Sequence, residues 1–540
     1  MLQRKLVLTF RSGLILSIIL AFLSLALSAL MLRCNISFGA LTYGYLADTV
    51  RMVHTGNLNN FDPDRLAQAT RFPFADPLSS RTMNACDNIA LALPLLLRID
   101  PIICALLVNI FPIVLSIVLF YSTCSLLFRP TVALSASAVF AFNRLCIANN
   151  AILAPEPLFV FAILAATFFL LRRYVNYNHP SVRIAILLGA LITLPVYIRY
   201  IGIVFTMVSI LYVIGETFAR RRTNGIFREA FALMATSATL VALLMAHNYA
   251  ASGVLSGHPM GIVPAYGFPQ ALFRMLVDTC VDSKLPLPVF LVPPALEVIP
   301  FLISASFLLF LLLASVRNRT IRLFAWFTVA YEIAFAVAES ITRIDIISER
   351  FIYPVLPFMV IGIFCLVREA CTLFASQRLA KMFSLCFILI CAGSILLSVP
   401  LIVRGGQGDF NYSPQTVRAA MATLSPNENV FVNRYGAQLD IYRQDVHSHM
   451  LPFRDNSNAN YNDAYGIHPL SRNEFIREMK IFSIRKMVFC SGRTGNDDGY
   501  IYNDGYGPFM KDIFYGHDPL VESVQSLPDG RIITLHNDYN

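Results

Sequence analysis

Apolar positions in this chain gather into long runs separated by short polar breaks. The runs lie at residues 13–32, 102–127, 131–148, 156–171, 183–198, 200–216, 228–247, 296–315, 321–339, 351–368 and 383–403. Crossing about 30 Å of hydrocarbon takes about 20 apolar residues in a helix, where every backbone amide is satisfied internally. The pattern therefore predicts about eleven transmembrane helices. The breaks inside 131–171 and 183–216 are so short that kinked helices would explain them as well as separate ones. The first run is long and no small-residue cleavage site follows it, so it reads as a retained helix and not a signal peptide.

Beyond residue 403 the long runs stop. Residues 414–424 and 471–483 have helical periodicity, 429–433 and 485–491 read as strands, and closing strands near 520–524 and 531–536 flank a Pro528-Asp529-Gly530 turn. Helices alternating with strands predict a small α/β layer. The expected division is a membrane domain over 1–403, with a first outer loop at 33–101 carrying interfacial helices, and a soluble α/β domain over 404–540. Within the tail, Tyr461-Asn462-Asp463-Ala464-Tyr465-Gly466 is echoed by Tyr502-Asn503-Asp504-Gly505-Tyr506-Gly507. Such residues suit sugar contact, but turn chemistry explains them more simply.

Composition agrees. With 56% hydrophobic and 14% charged residues and a mean hydropathy of +0.62, an ordinary soluble domain is excluded. The net charge of +9 belongs mostly to short loops. If Arg4, Lys5 and Arg11 are cytoplasmic, alternate loops carry Arg129; Arg172, Arg173 and Arg183; Arg220, Arg221, Arg222 and Arg228; Arg317, Arg319 and Arg322; and Arg368, Arg378 and Lys381. Each of these loops obeys the rule that positive charge stays inside. An odd number of spans then puts 404–540 outside, with the long segments 33–101 and 248–295. The expected location is a bacterial inner membrane with the tail in the periplasm. Scattered arginines give no basic face for nucleic acid. The 11 cysteines show no paired spacing. Cys104, Cys124, Cys146, Cys365, Cys386 and Cys391 fall in spans as small apolar fillers, while Cys34, Cys86, Cys280 and Cys490 fall outside, where a disulfide stays open.

Polar chemistry concentrates on the expected outer side. Segment 33–101 carries Asp48, His54, Asp62, Asp64, Asp76, Asp87 and Asp100. Residues 43–56 and 91–99 read as amphipathic helices lying along the interface. Charge at span ends is costly in lipid and needs a partner or a function. Such places are Glu156 opening the fourth run, Arg199 and Tyr200 closing the fifth, His247 and Asn248 closing the seventh, and Glu339, Arg343, Asp345, Glu349 and Arg350 between the ninth and tenth. Glu332 lies in mid-span with no partner legible from sequence. Arginines on this side break the charge rule and call for a local anion, of which a lipid phosphate is the natural one. No phosphate-binding glycine loop, zinc spacing or nucleophile elbow is present, which disfavours a cytoplasmic nucleotide-sugar donor.

In order, the chain offers YLADTVRM, IDPIICALLVN, APEPLF, RYIG, HNYAASG and ERFIYPVLP, spread over residues 45–357. This series resembles the GT-C membrane glycosyltransferases, in the branch of the dolichyl-phosphate-mannose protein mannosyltransferases and the lipid A aminoarabinose transferase. The resemblance implies transfer of a sugar from a polyprenyl-phosphate donor to a protein, lipid or glycan acceptor at the outer face, among membrane lipids. It also implies a carboxylate base that favours inversion, and cations that neutralise the departing phosphate. The family's usual acidic position falls near Thr42 or Tyr43, which are not acidic. Asp48 is therefore the first choice for the base, with Asp76 and Asp62 in reserve. Arg350 and Arg199 are the expected phosphate ligands, with Tyr200, Glu156, His247, Tyr353 and Arg343 around them. Clustered acids admit a divalent cation, but no ligand spacing compels one, so no cofactor or metal is assigned. The alternative is a transporter or flippase of a lipid-linked or small anionic substrate, against which stand the missing internal repeat and the large tail.

Overall fold

The computed structural model describes residues 9–31, 37–38, 46, 49–50, 53, 92, 94–175, 181–219, 224–252, 267–283, 297–341, 349–373, 414–432, 439–443, 445–449, 471–481, 483–490 and 509–536. Its first part is a helical bundle made of α1 (Phe10–Met31), α2 (Pro101–Leu127), α3 (Pro130–Ala141), α4 (Arg144–Ala151), α5 (Glu156–Val175), α6 (Val182–Ile198), α7 (Gly202–Ala219), α8 (Asn224–Ser252), α9 (Phe268–Ser283), α10 (Val298–Arg317), α11 (Arg319–Ile341), α12 (Glu349–Ile352) and α13 (Leu356–Leu373). Two-residue strands β1 (Ser37–Phe38) and β2 (Ile152–Leu153) pair in parallel.

Among the described residues seven helices are long and apolar enough to cross a membrane, or eight if the bent pair α3–α4 is one span. These and the shorter apolar helix α6 fall on predicted runs, as does α13; the run at 383–403 lies outside the described residues. The run 131–148, expected as one helix, is instead two, α3 and α4, which meet at a 58° bend. There Asn143 accepts from the Leu145 amide (2.9 Å) and donates to the Ser283 carbonyl (2.8 Å), so one side chain caps α4 and ties it to α9. The break in 183–216 separates two helices. Helix α6 carries Pro195 inside its last turn and ends at Ile198, Arg199 is extended, and Gly202 restarts α7 by donating its amide to the Arg199 carbonyl at 2.8 Å. A Cβ on Gly202 would run into the Pro195 carbonyl, so the tightness of this corner requires glycine.

Contacts at the helix termini define two ends of the bundle. At one end buried Glu229 accepts from two guanidinium nitrogens of Arg173, Nε and Nη2 (2.8 and 2.9 Å), and from the Ser181 amide (3.1 Å), joining α5, α6 and α8. Arg368 reaches the Leu127 carbonyl (3.2 Å), and Asn318 bonds Glu369 (3.2 Å). Arg173 and Arg368, which belong to predicted inner loops, lie at this end. At the other end Asp100 caps α2 through the Ile102 and Ile103 amides, with Pro101 supplying the first helical position. Nearby, Asn109 donates to the Asn150 carbonyl at 3.4 Å.

The tail builds a mixed five-stranded sheet ordered β4-β3-β5-β7-β6, from β3 (Asn429–Val432), β4 (His447–His449), β5 (Lys486–Cys490), β6 (Val521–Leu527) and β7 (Gly530–Leu535). β3 is parallel to β4 and β5, while β7 is antiparallel to β5 and β6. Period-two alternation sends Val430, Val432, Val488 and Ile532 toward α14 (Pro414–Thr423), with α15 (Leu439–Tyr442) beside it. Phe431, Met487, Phe489 and Ile533 face the other way, against α16 (Arg472–Ile481) and α17 (Phe509–Tyr515). The hairpin turn holds a buried cap, in which Asp529 accepts from the amides of Gln415 and Thr416 (2.8 and 3.0 Å). The apolar cluster on the α14 face is continuous with Leu46, Val50, Ile102 and Ala105. The tail thus abuts the bundle at the end where α2 begins.

Candidate functional site

At this end the start of α5, the α6–α7 corner and the end of α8 bring polar atoms out of apolar sequence. Glu156 is the first residue of α5, where the positive end of the helix dipole favours its charge. It is buried, and one carboxylate oxygen is paired with the Arg199 guanidinium from the corner between α6 and α7. Its other oxygen, Oε2, has no hydrogen-bond partner among the described residues. Tyr200, the next residue along, accepts from the Asn248 side-chain amide of α8 at 2.9 Å. His247, one position earlier, is exposed. The buried member of that dipeptide is the one that joins the network.

A second group lies around the short helix α12. The Arg350 guanidinium sits 4.6 Å over the ring of Phe351, and the Phe351 carbonyl accepts from the Tyr331 hydroxyl of α11 at 2.9 Å. Tyr353 is buried and donates to Asn150 of α4 at 3.1 Å, with the Cys146 sulfur 3.8 Å from its oxygen. The Arg199 cation is close enough to Tyr331 to act on its phenol electrostatically.

Below α12, Glu332 is fully buried and accepts from the Thr279 hydroxyl of α9 at 2.9 Å. Asp278, beside Thr279, is half-buried, and burial pushes its carboxyl up to about 6, with Arg274 opposing and Glu297 adding to the rise. Among the described residues no group of three or more His, Cys, Asp or Glu side chains is arranged to hold a metal ion.

The structure thus brings Glu156, Arg199, Tyr200, Arg350 and Tyr353 to one end of the bundle. Asp48, Asp62, Asp76 and Arg343 lie outside the described residues. Tyr331 and Asn150 belong to the network although sequence reasoning did not select them, whereas Asn248 was singled out there beside His247. Asn150 had a legible signal, a pair of asparagines beside a predicted break; Tyr331 had none, being one aromatic within an apolar run.

No family model matches the sequence, and no curated protein matches it. Solved structures do. ArnT from Cupriavidus metallidurans in the apo state superposes with a TM-score of 0.54 at 11% identity, over 98% of this chain and 99% of that one. The same protein bound to undecaprenyl phosphate gives 0.55 at 11% identity, over 97% and 98%. An apo oligosaccharyltransferase from Archaeoglobus fulgidus gives 0.46 at 11%, over 88% and 69%. At this identity the ArnT likeness is one of fold. The chain has the GT-C fold of membrane glycosyltransferases, with a small appended sheet, and is an integral membrane protein.

Proposed function

We propose that this protein transfers a sugar from a polyprenyl-phosphate carrier to an acceptor at the membrane face covered by its tail domain. The observation that carries this reading is the pairing of Arg199 with buried Glu156 at a helix corner, with a second guanidinium, Arg350, held over the Phe351 ring that α11 fastens. The fold around it matches, nearly end to end, that of an enzyme solved with undecaprenyl phosphate bound. Guanidiniums at such a depth suit a phosphate leaving group, since they are weakly hydrated and fork-shaped. The isoprenoid tail would lie against apolar helix faces in the lipid, and the phosphate would meet Arg199 and Arg350.

The base is a carboxylate of the first loop, Asp48 ahead of Asp76 and Asp62. It would take the acceptor proton as the acceptor oxygen attacks the anomeric carbon, inverting that centre while the carrier phosphate departs. Tyr200, Glu156, His247, Tyr353 and Arg343 would border the phosphate and the sugar. The tail would act as lid or acceptor platform, in the periplasm of a bacterial inner membrane. No metal is needed for this scheme, though a divalent cation would fit its acids.

Purified protein in nanodiscs, incubated with radiolabelled polyprenyl-phosphate sugars, should move label from carrier to acceptor. Asp48→Asn should abolish transfer and spare carrier binding, and Arg350→Ala should weaken apparent carrier affinity. Unchanged transfer in the first variant removes Asp48, and unchanged affinity in the second removes Arg350. Carrier-independent release of label, or movement of intact carrier across the bilayer, would favour a flippase instead.

A further inference from the structure

Arg350 is carried by α12, a helix of four residues. One turn is too short to hold a long side chain in place by itself, so its position must come from what it is fastened to. The fastening is explicit. Tyr331, buried in α11, donates its hydroxyl to the carbonyl of Phe351 at 2.9 Å. The Phe351 ring packs on Phe335 with ring centroids 4.8 Å apart, and Phe335 in turn stacks on Tyr331 at 6.1 Å. Both the backbone and the ring of Phe351 are therefore held by α11, and the opposite use of that ring is to carry the Arg350 guanidinium at 4.6 Å. The same Tyr331 lies within electrostatic reach of Arg199.

We propose that Tyr331 is a positioning residue for the carrier-phosphate site, fixing the Arg350 guanidinium, through Phe351, relative to that of Arg199. This inference rests on the carrier reading above for its consequence, but its geometric half does not. Two cations that must embrace one phosphate gain affinity only if their spacing is set before the ligand arrives. A hydroxyl donating to a buried carbonyl supplies that constraint without touching the ligand. The neighbouring Glu332 points to another face of α11 and ties α9 through Thr279; α9 also packs against α12. Consecutive residues of one helix thus brace α12 from two directions.

The test uses full-length Tyr331→Phe in nanodiscs, which removes one oxygen and keeps the ring. Amide hydrogen exchange of a peptide covering 349–356 should quicken several-fold, with thermal unfolding unchanged. Affinity for undecaprenyl phosphate should fall about tenfold, and in an Arg350→Ala background the same change should cost nothing further. A second variant, Phe351→Leu, removes the ring and keeps the carbonyl; it should weaken affinity and leave exchange slow. Unaltered exchange in Tyr331→Phe, or additive losses with Arg350→Ala, overturns the inference. Quickened exchange in a protein whose wild type ignores undecaprenyl phosphate would uphold the placement and sink the carrier reading.

Discussion

Glu156 and Arg199 form an ion pair across two helix termini, the first turn of α5 and the corner that follows α6. Neither residue can be judged alone. The carboxylate is at a favourable helix N-terminus yet nearly excluded from solvent, and the guanidinium pairs with it while its backbone spans the corner. A buried pair of this kind is weak evidence for stability, because desolvation offsets much of the attraction. Breaking it by halves is another matter.

Arg199→Ala should therefore destabilise the protein by about 3–5 kcal/mol, since it strands a buried carboxylate, and should abolish sugar transfer. The double variant Glu156→Gln with Arg199→Met removes both charges and keeps the volume. It should recover most of the stability and none of the transfer. Thermal unfolding in detergent and carrier-dependent label transfer separate the two effects; recovery of both would show the pair to be a structural strut.

Gly202 controls the same corner from the other side. Its missing side chain lets α7 restart against the Pro195 backbone, which cannot move aside as a flexible side chain could. Gly202→Ala should cost about 1–3 kcal/mol through overpacking. It should also displace Arg199, so transfer should fall by more than the loss of folded protein explains. A variant with wild-type turnover per folded molecule would show that the corner tolerates movement.

The spans were legible because apolar length is a property of a segment by itself, and described helices fall on the runs from 13–32 to 351–368. The tail was legible for a related reason: strands such as Lys486–Cys490 alternate to suit a sheet with helices on both faces. Helix α9 was not. It lies within 248–295, which sequence reading left as an outer segment, and its amphipathic face makes sense only against α10 and α11. Likewise nothing in the dipeptide His247-Asn248 says which side chain turns inward, since helix rotation is set by neighbours. Strand β4, of three residues, gives too short an alternation to recognise.

Asp278 makes a prediction about pH. Burial holds its folded carboxyl at about 6, above the ordinary value of 3.8. A raised acid binds its proton more tightly in the folded state, so stability falls as pH rises from the ordinary value through the folded one, and the penalty is complete above it. Asp278→Asn mimics the protonated form. It should raise the unfolding temperature at pH about 8 and make little difference near pH about 4. Equal gains at both values would mean that the side chain is solvated and its proton irrelevant to folding.

In the tail the sign is opposite. Arg472 grips Asp518 through two nitrogens, at 2.9 and 2.8 Å, and the Leu520 amide adds a bond of 2.9 Å to the same carboxylate. The guanidinium bonds first, then the backbone amide, hold the Asp518 carboxyl below its ordinary value. A depressed acid stabilises the fold above its unfolded value and loses that contribution as pH falls through the folded one. The pair ties α16 to the turn before β6. Because Arg472 is partly exposed, solvent screening limits its worth, and Arg472→Ala should cost about 1 kcal/mol at neutral pH. That cost should shrink on acidification below pH about 4, where the wild-type carboxylate also takes a proton. Unfolding of the tail, followed by hydrogen exchange in Met487–Phe489 across that range, reads this directly; a cost that stays constant with pH would show that Arg472 acts through packing and not through charge.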